Sequence, residues 1–95
     1  MIEFTWDEKK AAANLEKHGV SFEEARTVFY DEQALLIQDP DHSQEEERFI
    51  ILGLCSKLNV LIVSHCYRGN DSIIRIISAR KASRKEESKY WEVSK

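Results

Sequence analysis

The side chains best suited to chemistry lie between residues 73 and 91, where an apolar run leads into a charged segment. Six cations fall within fifteen positions of this stretch: Arg75, Arg80, Lys81, Arg84, Lys85 and Lys89. Guanidinium groups that a strand holds in place suit the planar, bidentate recognition of phosphate oxygens. This spacing therefore indicates a partner that carries phosphate. The alternative is a core strand, Ile73 to Ile77, followed by a solvated helix end.

The charge of the chain is distributed unevenly. Charged residues make up 33% of the sequence and apolar residues 42%, as in ordinary soluble domains, and the net charge is −3. Residues 1–50 carry a net charge of −8, whereas residues 51–95 carry +5. The negative total argues against unselective binding to nucleic acid, and the basic half suits one working face.

Length and segment types limit the organisation further. With 95 residues, we expect one domain, residues 1–95, built around a single two-layer core. No apolar stretch approaches the roughly 20 residues of a membrane helix, and the first residues do not form a signal peptide, so we expect a cytoplasmic protein. Cys55 and Cys66 lack C-x-x-C spacing, which favours buried thiols. The pair His42 and Glu46 has no second histidine, so a zinc site is not expected.

The first third of the chain has the signals of a strand followed by two helices. Residues 2–5 alternate between apolar and polar side chains, as a short strand does. Asp7 then provides a helix N-cap, and Gly19 can adopt the left-handed conformation that ends a helix. Ser21 and Glu24 have the spacing of a capping box for the second helix. These signals predict a helical hairpin directly after the first strand.

Four strand patterns and a third helix follow. The strand patterns are residues 34–38, 48–55, 60–68 and 73–78, and a polar turn with Pro40 is expected at 39–46. Ser83 and Glu86 form another capping box, which predicts a final helix through Trp91. The sequence thus predicts an α+β fold with a mainly antiparallel sheet and helices packed on one of its faces.

Alternation along the strands predicts which side chains can meet. If both hairpins have loops of even length, one face carries the apolar residues for the helices: Leu52, Leu54, Leu61, Val63, Ile74 and Ile76. Arg48, His65 and Tyr67 continue this face at one end. The opposite face then carries Phe49, Ile51, Ile62, Ser64, Cys66, Arg68, Ile73, Arg75 and Ile77. A bulge of one residue would exchange these assignments.

Three blocks of the sequence together resemble the BrnT family of bacterial toxins, which are similar in fold to RelE-type ribonucleases. The blocks are WDEKKAAANLEKHGVSFEEARTVFYD at 6–31, EER at 46–48 and RIISARKAS at 75–83. The resemblance implies the order β-α-α-β-β-β-β-α. It also implies a toxin that cleaves RNA and slows translation, with a ribbon–helix–helix antitoxin that neutralises it and represses the operon.

Cleavage of RNA without a metal or other cofactor would need an acid, a base and cations for the charge that develops on phosphate. Arg75 and Arg80 are the candidates for that charge, and Arg48 could join them or pair with nearby carboxylates. His65 is the candidate acid or base because its ordinary pKa is near 6.5. Its alternative is a half-buried strand histidine bonded to backbone.

Further residues are candidates for holding the RNA. They are Lys81, Tyr67, Arg68, Lys17, His18 and Tyr90. Tyr67 could stack on a base. His18 is also explained by its position at the C-terminal end of a helix dipole. Tyr90 matches the C-terminal aromatic of RelE-type toxins, and its alternative is packing against the sheet.

Three functions are consistent with these observations. The first is a metal-independent endoribonuclease toxin that forms a 2:2 heterotetramer with its antitoxin. The second is a non-catalytic interaction module that serves as co-repressor partner of a DNA-binding antitoxin, touching DNA only through it. The third is a regulator that binds RNA without cutting it, with an affinity that falls steeply with salt.

Overall fold

The computed structural model describes residues 2–39 and 47–93 of the chain. Its strands are β1 (Glu3–Thr5), β2 (Leu35–Gln38), β3 (Phe49–Leu54), β4 (Val60–Arg68) and β5 (Ile73–Lys81). Its helices are α1 (Glu8–His18), α2 (Phe22–Arg26) with a 3-10 helix (Thr27–Tyr30) after it, and α3 (Arg84–Val93). Most of the expected polar turn, with His42 and Glu46, lies outside the described residues. The described helices are too short or too polar to span a membrane.

Local capping signals determine where the helices begin and end. The Asp7 carboxylate accepts a hydrogen bond from the Lys9 amide at 2.8 Å, and Gly19 ends α1 with φ of 70°. At α3 the capping box is complete, because the Ser83 amide donates to Glu86 and the Glu86 amide donates to Ser83 Oγ. At α2 the same sequence signal forms only the half that involves the Ser21 hydroxyl.

The second half of that α2 box is missing because Glu24 has another partner. The carboxylate of Glu24 is buried and accepts a hydrogen bond from the Cys55 thiol, with Sγ and Oε2 3.2 Å apart. Lys57 Nζ lies 3.8 Å from the other carboxylate oxygen. Glu24 therefore ties α2 to the end of β3, and burial raises the pKa of the Cys55 thiol.

The five strands form one mixed sheet in the order β1-β5-β4-β3-β2. β1 runs parallel to β5, and the remaining neighbours are antiparallel. The two sequence-adjacent hairpins β3–β4 and β4–β5 account for the centre of the sheet. Since β1 and β2 lie at opposite edges, the helical hairpin crosses the whole sheet between them.

One face of the sheet, which we call the helix face, is covered by α1, α2 and the 3-10 helix. Its core consists of apolar side chains from these helices and from the sheet: Val20, Phe22, Ala25, Val28, Ile51, Leu61, Val63, Ile74, Ile76 and Ala79. Burial of this apolar surface is the main favourable contribution to the fold.

Asn14 of α1 joins the helices to the edge of β5 by hydrogen bonds. Its Nδ2 donates to the carbonyls of Val20 and Ala79 at 2.9 and 2.8 Å, and its Oδ1 accepts from the Ala79 amide at 3.1 Å. The register of β1 against β5 ends at Arg75, so Asn14 takes the place of a strand partner further along β5. A buried amide side chain thus satisfies backbone groups that would otherwise lack a partner.

The assignment of β3 to the faces of the sheet is a correction to the sequence analysis. Leu54 is the partner of Val60, so five residues form the β3–β4 turn rather than an even number. Leu52 and Leu54 consequently lie on the face opposite the helix face, and Phe49 and Ile51 lie on the helix face.

The β4–β5 hairpin follows the expected assignment near its turn. Arg68 is the partner of Ile73, which leaves an even loop of four residues. Leu61, Val63, Ile74 and Ile76 therefore share the helix face, as predicted. His65 and Tyr67 lie there as well.

The position of α3 contradicts the expectation that all helices pack on one face. Tyr90 of α3 packs with Leu52 and Val60 on the face opposite α1 and α2. Its hydroxyl donates to Asp31 Oδ2 at 2.6 Å, and that oxygen also accepts from the Leu54 amide at 2.8 Å. Asp31 thus links the helix layer, β3 and α3.

Candidate functional site

Three arginines of β4 and β5 share the face opposite α1 and α2. Arg75 is the direct partner of Cys66 and Arg80 that of Ile62, and direct partners have their side chains on the same face. Arg68 lies two residues beyond Cys66, so alternation places it on this face too. The three cations are therefore presented by two neighbouring strands at the centre of the sheet.

A fourth arginine joins them from β3. Arg48 immediately precedes Phe49, and its carbonyl accepts from the Asp39 amide at 2.8 Å, so the β2–β3 ladder extends to it. Because Phe49 lies on the helix face, alternation directs Arg48 to the other face. This corrects the prediction that Arg48 shares a face with His65. We call the surface of Arg48, Arg68, Arg75 and Arg80 the arginine face.

The four cations are not evenly spaced on the arginine face. Arg75 is the direct partner of Cys66, and Arg68 lies about 7 Å from Arg75 as a diagonal neighbour. Arg48 lies one residue before Phe49, which is the partner of His65. Arg80 lies further along the sheet, since its partner is four residues from Cys66, or about 13 Å. Three arginines thus form a cluster at one end, and Arg80 stands apart.

Two serines occupy the space between the cluster and Arg80. Ser64 and Ser78 are direct partners in the β4–β5 ladder, and both are half-buried. Ser78 could not be placed on this face from sequence alternation, because the irregularity between Ser64 and His65 shifts the alternation of β5. A serine that interrupts a run of β-branched residues was the only available signal.

Arg80 is engaged by α3 in this structure. Its Nη1 and Nη2 donate to the two carboxylate oxygens of Glu86 at 2.9 and 3.0 Å. This pairing raises the pKa of Arg80 and, with the capping hydrogen bonds from Ser83, lowers the pKa of Glu86 to about 2. Arg80 therefore fastens the start of α3 to β5, and its side chain is still 44% exposed.

Arg75 has a different environment from Arg80. It is half-buried between Cys66 of β4 and Thr5 of β1, which are its partners on either side. Within residues 2–39 and 47–93, no carboxylate lies within 4.0 Å of its guanidinium group. Partial burial strengthens the interaction of this cation with an anion relative to an exposed side chain.

His65 does not lie with these arginines. It is fully buried on the helix face, where its Nδ1 donates to the Val63 carbonyl at 3.1 Å. The Tyr67 hydroxyl then donates to Nε2 at 3.3 Å, which completes the hydrogen bonding of a neutral imidazole. Burial lowers the pKa of His65 to about 4, so the ring is uncharged at neutral pH.

Most of the other residues predicted to bind RNA are also away from the arginine face. Lys81 is the partner of Leu61 and is directed to the helix face, as is Tyr67. Lys17 and His18 end α1, in the layer that covers that face. Tyr90 is 2% exposed and packs on the sheet, as its alternative proposed. Of this group, Arg68 lies on the arginine face, and Tyr90 packs on the same face of the sheet under α3.

The acidic, histidine and cysteine side chains do not gather into a metal site in the part of the chain that the structure describes. No group of three or more of them lies close enough together to hold a metal ion. Cys55 and Cys66 are both buried free thiols, which confirms the prediction made for them.

These observations define the chain as a small α+β protein whose mixed sheet carries α1 and α2 on one face and α3 with the arginines on the other. The chain belongs to the BrnT family: residues 6–86 match the family model described as "Ribonuclease toxin, BrnT, of type II toxin-antitoxin system". The resemblance noted in the sequence is thereby confirmed. A comparison with curated proteins found no match.

Among solved structures, the chain is similar to the ribonuclease toxin BrnT of Brucella abortus, known from a crystal structure at 1.1 Å resolution. The TM-score is 0.68 with 24% sequence identity, over 88% of this chain and 100% of that chain. At this identity, the likeness establishes a shared fold.

Proposed function

We propose that this chain is the toxin of a type II toxin–antitoxin system and acts as an endoribonuclease in the cytoplasm. Cleavage of messenger RNA would then inhibit translation. The observation that carries this proposal is the arginine face, a cationic surface on an acidic protein of a ribonuclease toxin family. Such a surface attracts the RNA backbone despite the net negative charge of the protein. Salt screens the more distant acidic side chains, so the nearby arginines dominate the electrostatic potential at this surface.

The reaction that suits this surface needs no metal ion. The 2′-oxygen of a ribose attacks the adjacent phosphorus, and the bond from phosphorus to the 5′-oxygen breaks. The proton lost from the 2′-hydroxyl is balanced by one gained at the 5′-oxygen, which leaves a 2′,3′-cyclic phosphate and a 5′-hydroxyl. Guanidinium groups stabilise the extra negative charge on the phosphate oxygens in the transition state.

The cluster of Arg48, Arg68 and Arg75 is the part of the face that we assign to the reacting phosphate. Arg68 and Arg75 are diagonal neighbours and Arg48 lies near the same end of the sheet, and planar guanidinium groups suit phosphate oxygens. Arg80, about 13 Å further along the sheet, is assigned to another part of the RNA backbone. Ser64 and Ser78 supply hydroxyl groups between these two positions.

His65 has a supporting role in this proposal. It was the sequence-based candidate for acid or base, but a neutral imidazole on the far face of the sheet does not reach a phosphate held by Arg75. We therefore propose that His65 orients the Tyr67 side chain through the hydrogen bond between them. Activity is expected to survive a polar replacement of His65 that preserves the fold.

The partner in this proposal is an antitoxin, as the description of the family implies. We further propose that it is a ribbon–helix–helix protein, that the complex is a 2:2 heterotetramer, and that contact with DNA occurs only through the antitoxin. A kinship of this fold with RelE-type toxins belongs to the same proposal.

The proposal is tested first by inducing the chain alone in bacterial cells. We expect growth arrest by the wild type and by Arg26→Ala, an exposed arginine on α2 that serves as the matched control. We expect no arrest by Arg75→Ala at equal protein level. If the wild type itself is harmless, the ribonuclease proposal fails and the co-repressor alternative replaces it.

A second test examines the chemistry with purified protein and a defined RNA. We expect cleavage that EDTA does not inhibit, with 2′,3′-cyclic phosphate and 5′-hydroxyl ends. Loss of cleavage in EDTA would show that a metal is required, and RNA that is bound but left full length would indicate a regulator rather than a nuclease.

A further inference from the structure

A cavity of about 550 Å³ lies next to the arginine cluster, at the end of β4. Its lining combines apolar, aromatic and charged side chains: Leu36, Glu47, Phe49, Cys66, Tyr67, Arg68 and Asp71. Volumes of this order are typical of sites for small ligands. The function proposed above assigns no role to this space.

The cavity borders the part of β4 that extends past the described β3–β4 register. In the described part of the chain, the β3–β4 register reaches Phe49 and His65, whereas β4 continues to Arg68 and pairs there with β5 alone. The last three residues of β4 therefore border a notch. Arg68 belongs to both the notch and the arginine face, which makes the two surfaces continuous.

Aromatic rings form one wall of the notch. The rings of Phe49 and Tyr67 meet edge to face with centroids 5.2 Å apart. Tyr67 is half-buried and so keeps part of its surface open to the cavity. Aromatic surfaces of this kind stack on nucleobases whose phosphates are held by nearby cations.

The orientation of Tyr67 is set from behind by His65. The Nδ1–H of His65 donates to the Val63 carbonyl, so Nε2 accepts a hydrogen bond from the Tyr67 hydroxyl. Phe29 and Phe49 hold the imidazole with ring centroids 4.7 and 6.2 Å away. A buried histidine without a role in the chemistry thereby becomes a positioning residue for the aromatic wall.

The rim of the notch is acidic as well as basic. Asp71 and Glu47 supply carboxylates, which accept hydrogen bonds and donate none. Burial raises the pKa of the Tyr67 hydroxyl, and the negative charge of Asp71 raises it further. The Asp71 carboxylate is therefore close enough to Tyr67 to interact with it electrostatically. Carboxylates near an aromatic wall suit a base with N–H donors on its edge and disfavour bare acceptors.

We propose that the notch binds a nucleobase with an exocyclic amino group, stacked on Tyr67, beside a phosphate that Arg68 contacts at the border between the notch and the arginine face. This inference rests on the proposed function. Guanine fits best because its N1–H and its amino group can donate side by side to one carboxylate. Uracil fits worst, since it has a single N–H and no amino group.

The test uses binding of oligonucleotides in which every 2′-hydroxyl is methylated, so that cleavage cannot occur. A 2-aminopurine is placed at successive positions, because its fluorescence is quenched when it stacks on an aromatic ring. We expect quenching at one position with the wild type and with Tyr67→Phe. We expect its loss, with binding about tenfold weaker, in Tyr67→Ala.

Controls and outcomes separate the two proposals. Tyr30→Ala removes an exposed aromatic outside the notch and should leave the quenching unchanged. If the oligonucleotide binds and Tyr67→Ala quenches as the wild type does, the base site is wrong and the proposed function stands. If the wild type does not bind the oligonucleotide, both proposals are wrong.

A second variant tests the identity of the base without altering the aromatic wall. Asp71→Asn keeps the size of the side chain and replaces one acceptor oxygen by a donor. We expect the wild type to bind an oligonucleotide with guanine at the quenched position about tenfold more tightly than one with uracil. Asp71→Asn should reduce this preference, and an unchanged preference would overturn the role given to the carboxylate.

Discussion

The two faces of the central sheet differ in how their polar groups are satisfied. On the helix face, His65 is neutral, fully buried and hydrogen-bonded within the protein on both ring nitrogens. On the arginine face, Arg75 is a half-buried cation with no carboxylate within 4.0 Å among the described residues. The chemistry of a side chain therefore does not by itself assign it to a site, because His65 has its hydrogen bonds satisfied inside the protein.

The arginine face is itself divided by α3. At the covered end, Tyr90 packs on Leu52 and Val60, and Arg80 is held by Glu86. The other end, which we call the open end, carries Arg48, Arg68 and Arg75. We therefore expect substitutions on the helix face or under α3 to change stability, and substitutions at the open end to change RNA cleavage.

The largest effect on stability is expected at Asn14. Asn14→Leu removes three hydrogen bonds and leaves the buried amide and carbonyl of Ala79 without their partner. We expect the free energy of unfolding to fall by about 3 kcal/mol, measured by urea denaturation. Lys10→Ala, an exposed change on the same helix, should have little effect. A loss below about 1 kcal/mol for Asn14→Leu would contradict the role given to this residue.

His65 should make the stability depend on pH. In the unfolded chain, His65 binds a proton below its ordinary pKa of 6.5, but the folded protein resists this proton until the pH approaches about 4. The unfolded state then binds more protons, so stability falls as the pH decreases. We expect the free energy of unfolding to fall by about 2 kcal/mol between pH 7 and pH 5, measured by urea denaturation at each pH.

The matched variant for this prediction is His65→Gln, which cannot titrate. Its unfolding free energy should change much less over the same pH interval, although it should be lower than that of the wild type at pH 7. The same pH dependence in both proteins would show that another group is responsible.

The smallest effect is expected at Tyr90. Tyr90→Phe removes the hydrogen bond to Asp31, whose strength is reflected in a Tyr90 pKa raised to about 12 by burial and by the carboxylate. We expect a loss of about 1 kcal/mol in the free energy of unfolding, with RNA cleavage unchanged. Trp91→Phe, on the exposed side of α3, is the control. Weaker cleavage at unchanged stability would instead support contact between Tyr90 and RNA.

Elements governed by local signals were predictable from the sequence. The caps at Asp7, Gly19 and Ser83 depend on residues within one helical turn, and the structure places helix ends at each of them. Glu24 shows the limit of such signals. Its carboxylate left the capping box for Cys55, which is 31 residues away and brought near only by the fold.

The faces of the sheet depended on turns that the sequence does not mark. In the five-residue β3–β4 turn, Leu58 adopts a left-handed conformation with φ of 66°. Glycine is the residue that usually signals such a conformation in a sequence, and this turn has none. The odd number of residues in this turn reverses the faces expected for the β3 side chains, so Arg48 does not share a face with His65. Arg75 and Arg80 could be assigned to one candidate site from the sequence because they lie on the same strand. Placing Arg48 and Arg68 on the same face as these two required the pairing between strands.

The most direct test compares RNA cleavage by the wild type, Arg75→Ala and His65→Gln, each adjusted to the same concentration of folded protein. We predict a loss of about 100-fold or more for Arg75→Ala with unchanged stability, because a cation that stabilises the transition state is removed. His65→Gln should cleave within a few-fold of the wild type. A wild-type rate in Arg75→Ala, with activity abolished in folded His65→Gln, would contradict the assignment of the chemistry to the arginine face.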